Sequence, residues 1–157
     1  MSREPHLVLI DDDPTWRETL ADYLQTKGFR VESAGDGATG LAVAVRGDVA
    51  LVLVDSHMPD MDGLDFLRRL RRRSSVPVLM VSGEDGSGLL PRVLAAGGQG
   101  FLPKTTSPNV LLRTVRQLLG PAGPASAETG GARLRGRYLP VPRRHGWFWP
   151  MLLKDLN

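Results

Sequence analysis

Asp55 closes the apolar run Leu51-Val52-Leu53-Val54, and Asp11-Asp12-Asp13 closes another, His6-Leu7-Val8-Leu9-Ile10. Ser82 follows a third such run, Pro77-Val78-Leu79-Met80-Val81, and Lys104 follows Gly100-Phe101-Leu102-Pro103. Carboxylates gathered at one place repel each other unless a proton or a cation intervenes. Oxygen donors with room for water suit a hard divalent ion, which points to Mg²⁺. A lysine, a hydroxyl and a carboxylate-bound metal are the parts needed to hold a phosphoryl group. An aspartate can also act as the nucleophile and form an acyl phosphate. A lone strand-end aspartate is most simply a cap or turn residue. Five suitable groups at neighbouring strand ends are not.

The elements that must position these groups follow from periodicity. Short, continuously apolar runs read as strands buried on both faces, as in a parallel sheet. Between them lie helical patterns. Pro14 suits a first helical turn, Trp16, Leu20, Tyr23 and Leu24 recur at helical spacing, and Lys27-Gly28 closes that helix. Phe29 to Ser33 alternates as a second strand, and Asp36-Gly37 opens a short helix through Val45. Leu64, Phe66, Leu67 and Leu70 define an amphipathic helix whose outer face carries Arg68, Arg69, Arg71, Arg72 and Arg73. Leu89 to Ala96 is a weaker helix containing Pro91, and Ser107-Pro108 starts a last one in which Val110, Leu111, Val115, Leu118 and Leu119 face inward. Five strands alternating with five helices predict an α/β fold, a doubly wound, flavodoxin-like parallel sheet in order 2-1-3-4-5 with helices on both faces. The switch point of that order falls between strands 1 and 3, which end on Asp11, Asp12 and Asp55.

Residues 5–119 resemble a response regulator receiver domain. The resemblance rests on Leu9-Ile10-Asp11-Asp12-Asp13-Pro14 with Arg17, Val54-Asp55 with Met58-Pro59 and Asp62-Gly63, Val81-Ser82-Gly83, and Gly100 to Lys104. It implies a two-component phosphorelay in which Asp55 accepts a phosphoryl group from a sensor histidine kinase. Asp11 and Asp12 resemble the acidic pair that holds Mg²⁺, with Asp55 and the backbone carbonyl of His57 completing the protein ligands. Ser82 resembles the switch hydroxyl, Lys104 the lysine that faces the phosphoryl group, and Phe101 the aromatic whose rotamer follows the switch. The implied output is a repacked helix 4–strand 5–helix 5 face, and helices 1 and 5 resemble dimerisation faces. Thr105 stands where the family usually has proline, so a cis bond after Lys104 costs ~3 kcal/mol. Lys104-Thr105-Thr106-Ser107-Pro108 resembles the NarL/LuxR-type subgroup. By the same resemblance, His57 and Glu84 sit where the family tunes phosphoryl lifetime. The protein is expected to be a phosphoacceptor with at most self-dephosphorylation, rather than an enzyme.

Composition separates the two ends of the chain. The net charge of +3 over 157 residues hides a balanced body and a basic tail. Residues 1–119 carry 14 Lys/Arg and 15 Asp/Glu, whereas 120–157 carry 6 and 2. With 6 Gly and 5 Pro in 38 residues the tail reads as a linker and a disordered basic-aromatic segment, too short for a helix-turn-helix output domain of roughly 50–60 residues. It reads as a nucleic-acid or membrane-surface contact, or as the remnant of a lost effector. The absence of cysteine excludes disulfides and thiolate metal sites. No apolar run approaches the ~20 residues of a membrane span, and Met1–His6 lacks the order of a signal peptide, so a cytoplasmic protein is expected. The loop Gly83–Gly88 lacks the ending of a nucleotide-binding P-loop. A Mg²⁺-dependent phosphohydrolase is the remaining rival, and Asp13-Pro14 offers it no general acid for a leaving group.

Overall fold

The computed structural model describes residues 3–83 and 88–120. Within them the elements run β1 (His6–Ile10), α1 (Pro14–Thr26), β2 (Arg30–Ala34), α2 (Gly37–Ala44), β3 (Leu51–Val54), α3 (Gly63–Arg71), β4 (Val78–Ser82), α4 (Leu89–Ala95), β5 (Gly100–Pro103) and α5 (Pro108–Leu119). The strands form one parallel sheet in order β2-β1-β3-β4-β5, as the alternation of elements predicts. The tail from residue 121, Glu84 and most of the Gly83–Gly88 loop lie outside the described residues. None of the described helices is long and apolar enough to cross a membrane.

The period of two along each strand builds two cores, one on each face. Leu7, Leu9, Leu51, Leu53, Leu79, Val81 and Leu102 pack with Leu20 and Leu24 of α1 and Leu111, Leu112 and Val115 of α5. Val8, Ile10, Val52, Val54, Val78, Met80 and Phe101 face the other way, against α2, α3 and α4. Residues that would be exposed in an isolated strand are thus covered on both sides, which is why the runs carry no polar alternation. β2 is the exception. It lies at the sheet edge, and its Arg30 and Ser33 are exposed.

Caps fix where the helices start. Asp13 precedes Pro14 and accepts from the amides of Thr15 and Trp16, so the third acid of the triplet serves α1. Asp36, Asp62 and Ser107 cap α2, α3 and α5 in the same way. Gly88 precedes α4 without a side-chain cap, and Pro91 falls in the first turn, where a missing N–H is least costly.

One expectation changes. Arg71 does not belong with the solvent-facing arginines of α3. Its Nε and Nη2 donate to the carbonyl of Gly97 at 3.0 and 2.8 Å, and Nη1 donates to Ser74 O at 3.3 Å. Nη2 also meets Gln99 Oε1, which accepts from the amide of Val78 at 2.6 Å. The arginine ties the end of α3 to the α4–β5 turn and the start of β4. Arg68, Arg69, Arg72 and Arg73 are exposed, as predicted, and Arg69 pairs with Asp65 one turn earlier.

Candidate functional site

The parallel register brings the carboxyl ends of β1 and β3 side by side. Ile10 lies opposite Val54, and the Asp55 amide donates to Ile10 O at 2.9 Å. The residues that follow each strand, Asp11 and Asp55, therefore share one edge. β4 and β5 extend that edge with Ser82 opposite Pro103, and the Lys104 amide donates to Ser82 O at 2.7 Å. The Arg17 guanidinium reaches back from α1 to the Asp11 carbonyl at 2.5 Å, fixing α1 to the end of β1.

Asp11, Asp12 and Asp55 each present an oxygen within 4.8 Å of the others. Asp11 is fully buried, Asp55 nearly so and Asp12 exposed. Lys104 Nζ lies 2.7 Å from Asp11 Oδ2 and 3.4 Å from Asp55 Oδ2. Burial raises the pKa of Asp11, and repulsion from Asp55 adds to it, while Lys104 and the Asp13 amide act the other way. Burial works against the Lys104 ammonium too, but its bonds to Asp11 and Asp55 outweigh it and hold its pKa above the ordinary lysine value. The buried Asp11 Oδ2 faces the Lys104 ammonium. Three carboxylates converging on one lysine leave negative charge in excess, and such a hard-oxygen set fits a divalent cation.

Ser82 and Phe101 are both buried, Ser82 at the edge and Phe101 in the core shared with α4. His57 sits two residues past Asp55 on the exposed surface, in a single antiparallel bridge with Asp62. Every described peptide bond is trans.

Three further residues enter the site that the sequence reading did not assign to it. Ser56 hydrogen-bonds Ser82 hydroxyl to hydroxyl, and its amide donates to Asp55 Oδ1 at 2.7 Å. The Trp16 ring lies 4.7 Å from Lys104 Nζ, a cation–π contact beyond the packing role predicted for it. Gly63 lets α3 approach so closely that a Cβ there would collide with the Asp55 carbonyl, with Ser56 Cα at 3.0 Å and Met80 Cε at 2.9 Å. Asp60 of the same loop accepts from the Gly37 and Ala38 amides, both at 2.8 Å, and so joins the loop after Asp55 to the start of α2.

The sheet is a doubly wound, flavodoxin-like fold whose acidic switch point faces a lysine. Residues 7–116 match the model of the response regulator receiver domain, and the chain belongs to that family of two-component systems. It is 38% identical over 119 residues to the transcriptional activator protein PfeR of Pseudomonas aeruginosa, covering 71% of this chain and 39% of that protein. It is 34% identical over 121 residues to the uncharacterized transcriptional regulatory protein YcbL of Bacillus subtilis, covering 77% and 54%. The chain thus spans about half the length, or less, of these curated relatives. Among solved structures, the chemotaxis response regulator CheY4 of Vibrio cholerae superposes with a TM-score of 0.67 at 30% identity, covering 73% of this chain and 98% of that one. The receiver domain of the putative response regulator NarL from Mycobacterium tuberculosis gives 0.69 at 26% identity, covering 77% and 100%.

Proposed function

We propose that Asp55 is the phosphoacceptor of a two-component response regulator, charged by a sensor histidine kinase. The observation that carries this is the convergence of Asp11, Asp12 and Lys104 on Asp55 at the switch point of the sheet. An Asp55 carboxylate oxygen attacks the phosphorus of the kinase phosphohistidine. A P–O bond forms, the P–N bond breaks, and its electron pair returns to the imidazole nitrogen. Asp11, Asp12, Asp55 and the His57 carbonyl would hold Mg²⁺, which when bound supplies neutralisation of the phosphoryl oxygens. Lys104 turns from Asp11 toward the transferred group and balances its charge. Ser82 closes on a phosphoryl oxygen, Phe101, already buried, repacks with it, and the α4–β5–α5 face adjusts, a local charge change biasing a two-state element.

On this reading the chain is a cytoplasmic signalling protein whose own chemistry is limited to taking up and losing the phosphoryl group. Thr105 after Lys104 supports the NarL/LuxR-like subgroup, and phosphorylation would favour a homodimer through α1 or α5. That these relatives are transcriptional regulators supports a second role, control of transcription, with any DNA contact made by the basic tail. Comparing the salt dependence of DNA binding for the full chain and a 1–119 truncation tests that role; equal slopes rule the tail out.

The phosphoacceptor reading is tested by incubating the protein with Mg²⁺ and a small acyl phosphate and measuring intact mass. A gain of one phosphoryl group in the wild type and none in Asp55→Asn supports it. No gain in the wild type overturns it.

A further inference from the structure

We infer that Ser56 is a positioning residue for the switch: its hydroxyl holds the Ser82 hydroxyl in the resting state and so sets the cost of switching. The inference rests on the phosphoacceptor reading above. Ser56 follows Asp55 directly, yet its side chain does not point to solvent as a loop serine's ordinarily would. Both hydroxyls are buried, Ser56 at 5% exposure and Ser82 at 1%, and they bond to each other. A buried hydroxyl without a partner is costly, so each stabilises the other's placement.

The Ser56 backbone is held at both ends, which gives its hydroxyl a defined direction. Its amide donates to Asp55 Oδ1 at 2.7 Å, and its carbonyl accepts from the Gly63 amide at 2.7 Å. Gly63 also packs against Ser56 Cα so tightly that no side chain fits between them. Ser82 is fixed by β4 and by the Lys104 amide on its carbonyl. To meet a phosphoryl oxygen on Asp55 the Ser82 side chain turns about χ1, and it is this movement of Oγ away from Ser56 that breaks their bond. Ser82 has other interactions as well, so Ser56 is one restraint on it and not the whole of it. Switching strands the Ser56 hydroxyl. Removing that hydroxyl removes the penalty and leaves the switched state favoured.

Beryllofluoride, a non-transferable mimic of the phosphoryl group, measures this at equilibrium. The full-length protein is titrated with it in Mg²⁺ by calorimetry, as wild type, Ser56→Ala, Ser56→Cys, Ser56→Thr, Ser82→Ala, Ser56→Ala/Ser82→Ala and Asp55→Asn. Ser56→Ala should bind about fivefold tighter, the worth of one net hydrogen bond. Ser56→Cys, with a similar volume and a weaker hydrogen-bonding group, should tighten less, and Ser56→Thr should bind as wild type. In the Ser82→Ala background Ser56→Ala should change nothing. Unchanged or weaker binding in both Ser56→Ala and Ser56→Cys, or equal tightening with and without Ser82, overturns the role of Ser56 alone. No wild-type binding, or equal binding by Asp55→Asn, overturns the phosphoacceptor reading and the role of Ser56 with it.

Discussion

Lys104 reaches across the sheet edge to Asp11 more closely than to Asp55, 2.7 Å against 3.4 Å. The ammonium therefore occupies charge space that a divalent cation would otherwise fill. Lys104→Ala should raise Mg²⁺ affinity by about tenfold, because one positive charge leaves the acidic cluster. It should also weaken beryllofluoride binding. Calorimetric titration of both ligands checks the pair of effects, and a fall in Mg²⁺ affinity would contradict the arrangement.

Asp11 links stability to pH. Its folded-state pKa lies above its ordinary value of 3.8, chiefly through burial. The folded state then holds the proton more tightly than the unfolded chain does. The stability involved is fully present below 3.8 and is lost as pH rises through the raised folded pKa. Without Mg²⁺, Asp11→Asn should stabilise the protein at pH 7, with no gain at low pH. Urea midpoints across pH for both proteins measure the difference, which cancels contributions from the other carboxylates. At five times Kd, Mg²⁺ should return about 1 kcal/mol to the wild type.

Gly63→Ala tests the close approach of α3 to the phosphoacceptor loop. The added methyl meets backbone of Asp55 and Ser56 as well as Met80, so relief requires moving the loop itself. A loss of about 3 kcal/mol is expected from urea denaturation, with weaker Mg²⁺ binding in the folded fraction.

Arg71→Lys should behave as a disruptive change. The forked guanidinium serves Gly97, Ser74 and Gln99 together, a geometry that one ammonium cannot reproduce. The expected cost is about 2 kcal/mol, whereas Arg72→Lys on the exposed face should change stability by less than about 0.5 kcal/mol. Equal effects would place Arg71 back in solvent.

The strand ends were legible because an unbroken apolar run stops at each of Asp11, Asp55 and Ser82, and sheet order then fixes what is adjacent. Helix starts were legible through Pro14, Asp36 and Ser107. Ser56 was not, because the direction of a side chain just past a strand depends on what β4 places beside it. Arg71 was hidden inside a run of arginines. Its position four residues after Leu67 puts it at the border of the buried stripe, and that was the available signal. Trp16 showed its helical period but not its partner, since Lys104 arrives from β5, 88 positions later.

The phosphoryl group should reside on Asp55. After phosphorylation, borohydride reduces an acyl phosphate to a stable alcohol. Cleavage at Arg46 and Arg68 then yields residues 47–68, with Asp55 and Ser56 inside one peptide. Tandem mass spectrometry should place the reduced side chain at Asp55, with no modification on Asp48, Asp60, Asp62, Asp65 or the Asp11–Asp13 triplet. Modification at any of those residues, or undiminished labelling of Asp55→Asn, would contradict the account.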